Sequence, residues 1–224
     1  MQDRRELIQF FGAAYSITWG LAALLILAPE TMEGLFGEMS TLSPVYFVAV
    51  YAPLISALSL TMLHRGPAAM ITLISSLKPR LENIKFYLLV LLGWPILDTL
   101  ALAVQSLVTG EPVEYLNLSL WYMAPVILLT TLVIDAGPIG EELGWRGYAL
   151  PRLLRLFRSP LTVAIVLGLI WGAWHLPAFL ISGTTQHDTG MGIVWLILGT
   201  TLSSVIMTYL FRKTGGAGLN DLDA

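Results

Sequence analysis

No aspartate, glutamate, lysine or arginine occurs between positions 7 and 29. In lipid every backbone polar group must find its partner inside the segment, and a crossing needs about 20 residues, so such a run is constrained to a transmembrane helix. It is too long for a signal-peptide core and shows no convincing small-x-small cleavage site, so it reads as a retained helix. Five more apolar stretches follow, at 44–63, 86–108, 121–139, 161–181 and 191–211. Six crossings sort the loops into two sets. All 12 lysines and arginines fall on one side, four of them in a basic loop at 64–85. Glu30, Glu33, Glu38, Glu111, Glu114 and Asp188 fall on the other. By the positive-inside rule both termini are expected in the cytoplasm.

Composition supports the same class. The chain is 56% hydrophobic and 12% charged, about half the charge of a soluble domain, with a mean hydropathy of +0.75. The expected fold is all-α, a polytopic transmembrane helical bundle of about six spans. One membrane domain over 1–224 is expected, with a motif-bearing core at 121–211. A net charge of −3 gives no reason to expect nucleic acid as a partner. The absence of cysteine excludes disulfides, thiolate catalysis and Cys-based metal sites.

Against this background one stretch stands out, PIGEELGWRGYALP at 138–151. It places Glu141, Glu142 and Arg146 at the cytoplasmic end of the fourth span, and ionisable groups in or beside lipid are functional candidates by default. Helical spacing separates them. Glu142 and Arg146 are four apart, acid before base, and can pair. Glu141 lies about 100° round the helix without a local partner. Glu142 is thus the structural candidate and Glu141 the chemical one. The competing reading is a solvated ion pair at the membrane interface with Glu141 facing water.

The fifth span carries Trp171, Trp174, His175 and Pro177. A histidine at this depth is commonly a packed, hydrogen-bonded group. Here two tryptophans can wall off a dry pocket, and Pro177 disturbs the helix just beyond, freeing backbone groups. A carboxylate and a histidine facing each other suit two chemistries. They can hold and deprotonate a water, or they can contribute ligands, from Glu141, Glu142 and His175, to a divalent metal such as zinc that acidifies the water. No HExxH motif supports the metal version. Asp98, mid-span, and Asp135, seven residues before Glu142, are pocket candidates with hydrogen-bonded helix contacts as the alternative. His64 and His187 read as inert loop residues, and Trp121 and Tyr122 as interfacial anchors.

EExxxR followed by an aromatic-xxx-His in the next apolar span resembles the CPBP family of intramembrane proteases. That family includes the type II CAAX prenyl endopeptidases and bacterial proteins linked to bacteriocin immunity. The wording EELGWRGYALPRL and WGAWHLP is similar to the bacterial branch, and the resemblance covers mainly 121–211. It implies an integral protein of a prokaryotic plasma membrane. It implies an endopeptidase acting on a peptide or membrane-protein substrate, prenylated in part of the family, and often described as metal-dependent. Glu141 and His175 would be catalytic, activating the hydrolytic water, while Glu142, Arg146 and Trp171 shape the site. Trp171 stands where the family usually has Phe. The family pattern continues with a helix bearing His-xxx-Asn, whereas here GGAGLNDLDA follows Thr214. A C-terminally incomplete, weakened site is therefore expected, because oxyanion donors are worth about 10²–10³ in rate. The alternative function is a non-catalytic membrane scaffold or bacteriocin-immunity protein using the same polar pocket. A small transporter has less support, since no inverted repeat is visible.

Overall fold

The computed structural model describes residues 2–40, 42–76, 81–86, 88, 106–107, 110, 136–190 and 192–214. Among these every regular element is helical. The chain divides into two compact units, Met1–Leu77 with Asp135–Ala224, and Lys78–Ile134. In the second unit a 3-10 turn covers Leu81–Asn83, and the expected spans at 86–108 and 121–139 lie almost wholly outside the described residues. The first unit holds the site.

Helix α1 is Gln2–Leu27, followed by the short α2, Pro29–Phe36, inside what reads as a loop. Helix α3, Pro44–Val50, starts where Ser43 Oγ accepts the Tyr46 N–H at 3.2 Å and Pro44 takes the first helical position. Helix α4, Ala52–Ser75, is bent 57° from α3. This corrects the expected second span and basic loop. The chain breaks at Tyr51, before Pro53, then stays helical past His64 to Ser75, interrupted only where Gly66 adopts φ +81° before Pro67. A left-handed residue followed by a proline ends the regular hydrogen bonding without ending the rod.

Residues 136–156 form one helical rod. Helix α5, Ala136–Glu142, passes into a π-helical segment, Leu143–Ala149, and then into α6, Leu150–Leu156. The helix therefore continues well beyond the expected end at 139. Glu141 and Glu142 sit inside the rod, roughly 15 Å along its axis from Arg152. Helix α7, Pro160–Trp174, begins under a Ser159 cap and ends in a 3-10 turn over Leu176–Leu180. A one-turn helix α8, Thr185–Asp188, precedes α9, Ile193–Lys213. By length and apolarity α1, the α7 segment and α9 can each cross a membrane, and the bent α3–α4 pair makes a fourth candidate.

Small residues set how closely these helices approach. A Cβ on Gly144 would lie 2.5 Å from Pro53 Cβ, and one on Gly168 would lie 2.6 Å from Thr201 Cα. The spacings Gly140-xxx-Gly144 and Gly168-xxx-Gly172 thus bring the rod onto the α3–α4 break and α7 onto α9. Phe10, Trp145 and Tyr148 fill the space where α1 meets the rod; Phe10 stacks on Tyr148 at 5.1 Å and meets Trp145 edge-on at 5.5 Å.

At the N-terminal end of α1 an ionic clasp joins α1, α4 and α6. Glu6, 1% exposed, accepts from Arg152 Nε at 2.8 Å and from Gln2 at 2.9 Å, with Arg65 at 3.5 Å. Arg155 forms a two-point bond to Asp3 at 2.8 and 2.9 Å. Arg152 falls in a short amphipathic segment with Arg155 and Arg158. It is buried, because Glu6, the Tyr148 carbonyl and the Tyr148 ring surround its guanidinium.

Two outcomes follow from this packing. Glu6→Ala should lower the unfolding free energy in detergent by about 3–5 kcal/mol, since it strands a buried guanidinium. A loss under 1 kcal/mol would mean the clasp is solvated. Gly168→Leu should cost about 1–3 kcal/mol through overpacking against α9, read as a drop in thermal midpoint that an equivalent change at Gly12, where nothing lies within 4 Å, does not produce.

Candidate active site

The rod and the end of α7 bring the site residues together. On α5, Glu141 is buried at 8% exposed, and its Oε2 accepts a hydrogen bond from the Trp171 indole N–H. His175 Nε2 lies 3.8 Å from the same oxygen. Trp171 and His175 are one turn apart at the end of α7, where the helix stops because His175 takes the cap position and Pro177 follows. The His175 N–H still reaches the Gly172 carbonyl at 3.1 Å.

The second ring nitrogen of His175 is also fixed. Nδ1 lies 2.9 Å from the Trp171 carbonyl oxygen. A carbonyl only accepts, so Nδ1 carries the proton, and a neutral ring then presents its Nε2 lone pair towards Glu141. Trp174 packs edge-on against the imidazole at 4.7 Å. The protein thus holds two basic atoms, a carboxylate oxygen and an imidazole nitrogen, close together in a wall of indoles.

Glu142 takes the other role. Its Oε1 accepts from Arg146 Nη1 at 2.7 Å, the spacing expected of an i,i+4 pair. The Arg146 guanidinium lies over the Trp171 ring, 4.1 Å from its centroid. Of the metal-ligand candidates Glu141, Glu142 and His175, the first and last converge. Among the described residues no group of three His, Asp or Glu forms, which is fewer protein ligands than catalytic zinc usually takes. Asp98 and Asp135 lie outside the described residues. His64 is exposed on α4. His187 is exposed and bonded to Asp188 at 2.9 Å; that contact and the Gly183 N–H hold the Asp188 carboxyl below its ordinary range.

A cavity of about 240 Å³ opens beside the pair, with Glu141, His175, Thr18, Tyr46, Trp174 and Thr184 in its wall. Helix α1 builds much of it. Thr18 Oγ1 accepts the Trp174 indole N–H at 3.0 Å and donates to the Ala49 carbonyl at 2.7 Å. Trp19 Nε1 donates to the Trp174 carbonyl at 3.1 Å, and the Tyr15 hydroxyl donates to the Ile170 carbonyl. These three side chains hold the last turn of α7, from which His175 projects. Sequence reading missed them. Their one signal was Tyr, Thr and Trp spaced three and four apart inside an otherwise apolar span, a pattern that serves interhelical bonding.

A family model described as type II CAAX prenyl endopeptidase Rce1-like matches residues 120–219. A protein named CAAX prenyl protease 2 from Methanococcus maripaludis is 31% identical over 93 residues, 40% of this chain and 32% of that protein. The chain thus aligns with about a third of the length of this curated relative. The matched segment contains Glu141, Glu142, Arg146, Trp171 and His175, so the residues of the candidate site fall in the part of the chain that is similar to type II CAAX prenyl endopeptidases of the Rce1-like kind.

Proposed function

We propose that this chain is an intramembrane endopeptidase of the CAAX-protease type, in which Glu141 and His175 hold and deprotonate the hydrolytic water. The observation that carries the reading is the 3.8 Å approach of His175 Nε2 to Glu141 Oε2 beside a cavity. A water bonded to both atoms at about 2.8 Å closes a triangle over that gap with about 85° at its oxygen. Both partners accept, so the water gives one hydrogen to each. Its lone pair is then free to face a carbonyl carbon in the cavity.

In the reaction the water oxygen bonds to the scissile carbonyl carbon while Glu141 takes its proton. The tetrahedral intermediate collapses by breaking the C–N bond, and the proton on Glu141 passes to the departing nitrogen. The products are a carboxylic acid and an amine, which become carboxylate and ammonium when the acid proton passes to the amine, and no covalent enzyme intermediate is needed. His175 keeps its Nδ1 proton on the Trp171 carbonyl throughout and orients the water. Each step is assigned to these two side chains because their basic atoms converge at the cavity wall. The family and the name of the relative support a prenylated peptide or protein, presented from the membrane, as the substrate class.

With the protein reconstituted in liposomes and a prenylated reporter peptide, Glu141→Gln and His175→Ala should each lower kcat/KM about 10²–10⁴-fold with the helical circular dichroism unchanged. The double variant should be little worse than either, since the two act on one water. Turnover that survives Glu141→Gln would reject this mechanism. Substrate binding without turnover in the unaltered chain would favour the scaffold function. The tautomer is testable without a substrate. The sequence has 3 histidines, so ¹⁵N-histidine spectra assigned with His64→Gln and His187→Gln should show His175 protonated at Nδ1 and bare at Nε2. A proton on Nε2 would remove the proposed water acceptor.

A further inference from the structure

We infer that Trp171 is the positioning residue of the Glu141–His175 pair: its indole N–H aims the carboxylate, and its own carbonyl sets the imidazole. The inference rests on the hydrolytic reading above. It starts from the fact that one residue contacts three of the site's groups: Glu141, His175 and Arg146. The Trp171 indole donates to Glu141, its carbonyl accepts from His175 Nδ1, and its ring face carries the Arg146 guanidinium.

The three contacts do different things. A glutamate has three side-chain torsions, and in an apolar wall a charge-assisted bond from a fixed donor selects among its rotamers. The donor must itself be fixed, and the indole plane is held from its face. Arg146 lies 4.1 Å above the ring and is locked in turn by Glu142 at 2.7 Å. The EExxxR pattern thus acts through Trp171: Glu142 holds Arg146, Arg146 covers the indole, and the indole aims Glu141. On the other side the helix backbone does the work. His175 is the fourth residue after Trp171, so the Trp171 carbonyl sits where it can take the Nδ1 proton, and Nε2 is left facing the oxygen that the indole has placed.

Phenylalanine at position 171 would keep the aromatic wall and the face under Arg146, and it would keep the main-chain carbonyl. It would lose only the N–H. The replacement therefore separates packing from aiming. Loss of aiming acts on the geometry in which the water is deprotonated, and a misplacement of about 1 Å there costs up to about 10²-fold. Substrate binding along the cavity is untouched, because Trp171 is not part of its lining. The effect belongs in kcat.

The test uses the full chain in lipid nanodiscs, with Trp171→Phe and with β-(3-benzothienyl)alanine at 171, which has the shape of tryptophan and sulfur in place of N–H. Both should lower kcat about 10- to 100-fold on the reporter peptide, with KM within about twofold. Full activity in the benzothienyl protein would show that bulk alone matters and would overturn the inference. A second readout needs no turnover. In ¹⁵N-tryptophan spectra the indole resonance that vanishes in Trp171→Phe should lie downfield and move upfield in Glu141→Gln. A resonance that ignores Glu141→Gln overturns the hydrogen bond and the inference with it. If instead that resonance responds but Glu141→Gln leaves turnover intact, the hydrolytic reading is what fails, and the positioning role falls as its consequence.

Discussion

An ionised side chain far from water must find its partners within the protein, and this requirement organises both polar clusters of the first unit. One cluster is the clasp of Glu6, Arg152 and Arg65, which ties the start of α1 to α4 and α6. The other is Glu141 with Trp171 and His175, beside Glu142 with Arg146. The rod at 136–156 carries members of both, about 15 Å apart. The clusters differ in how their charge is met. In the clasp carboxylate meets guanidinium directly, which suits a joint. At the site Glu141 meets an indole and an imidazole, and so keeps a carboxylate oxygen beside a second basic atom.

That arrangement depends on close helix approach. Where α7 crosses α9, Gly168 and Gly172 leave no room for a methyl group. On its other side the end of α7 is held by three hydrogen bonds: Tyr15 and Trp19 donate to its carbonyls, and Thr18 accepts from the Trp174 indole. A helix end gripped on both sides can end at His175 and present that ring without fraying, although its last carbonyls lack intrahelical partners. The Ile170 and Trp174 carbonyls are satisfied by α1, and the Trp171 carbonyl by His175 itself.

Much of the site was legible in one dimension because helical spacing is a local property. The Glu142–Arg146 pair follows from i,i+4 geometry, and the separate position of Glu141 follows from its offset of one residue. Trp171 and His175 share a face for the same reason. The π-helical segment at Leu143–Ala149 and the break at Tyr51 were not legible. Both arise where glycines pack against Tyr51 and Pro53, a contact between segments nearly a hundred residues apart. The burial of Arg152 was not legible either, since its partner, Glu6, lies far away in sequence.

The amino-acid sequence by itself determined that the chain is a helical membrane protein, because long uncharged apolar runs have no other way to satisfy their backbones in lipid. It also determined which charges pair within one helix, and its EExxxR and aromatic-xxx-His patterns pointed to the family. Tertiary structure decided that the Glu141 carboxylate meets the indole of Trp171 and the Nε2 of His175. It also decided that α1, outside the matched segment 120–219, holds the turn that presents the histidine. The reason is that these contacts join residues 30 to about 155 positions apart. No local periodicity encodes them, and only the close packing of whole helices brings the atoms within reach.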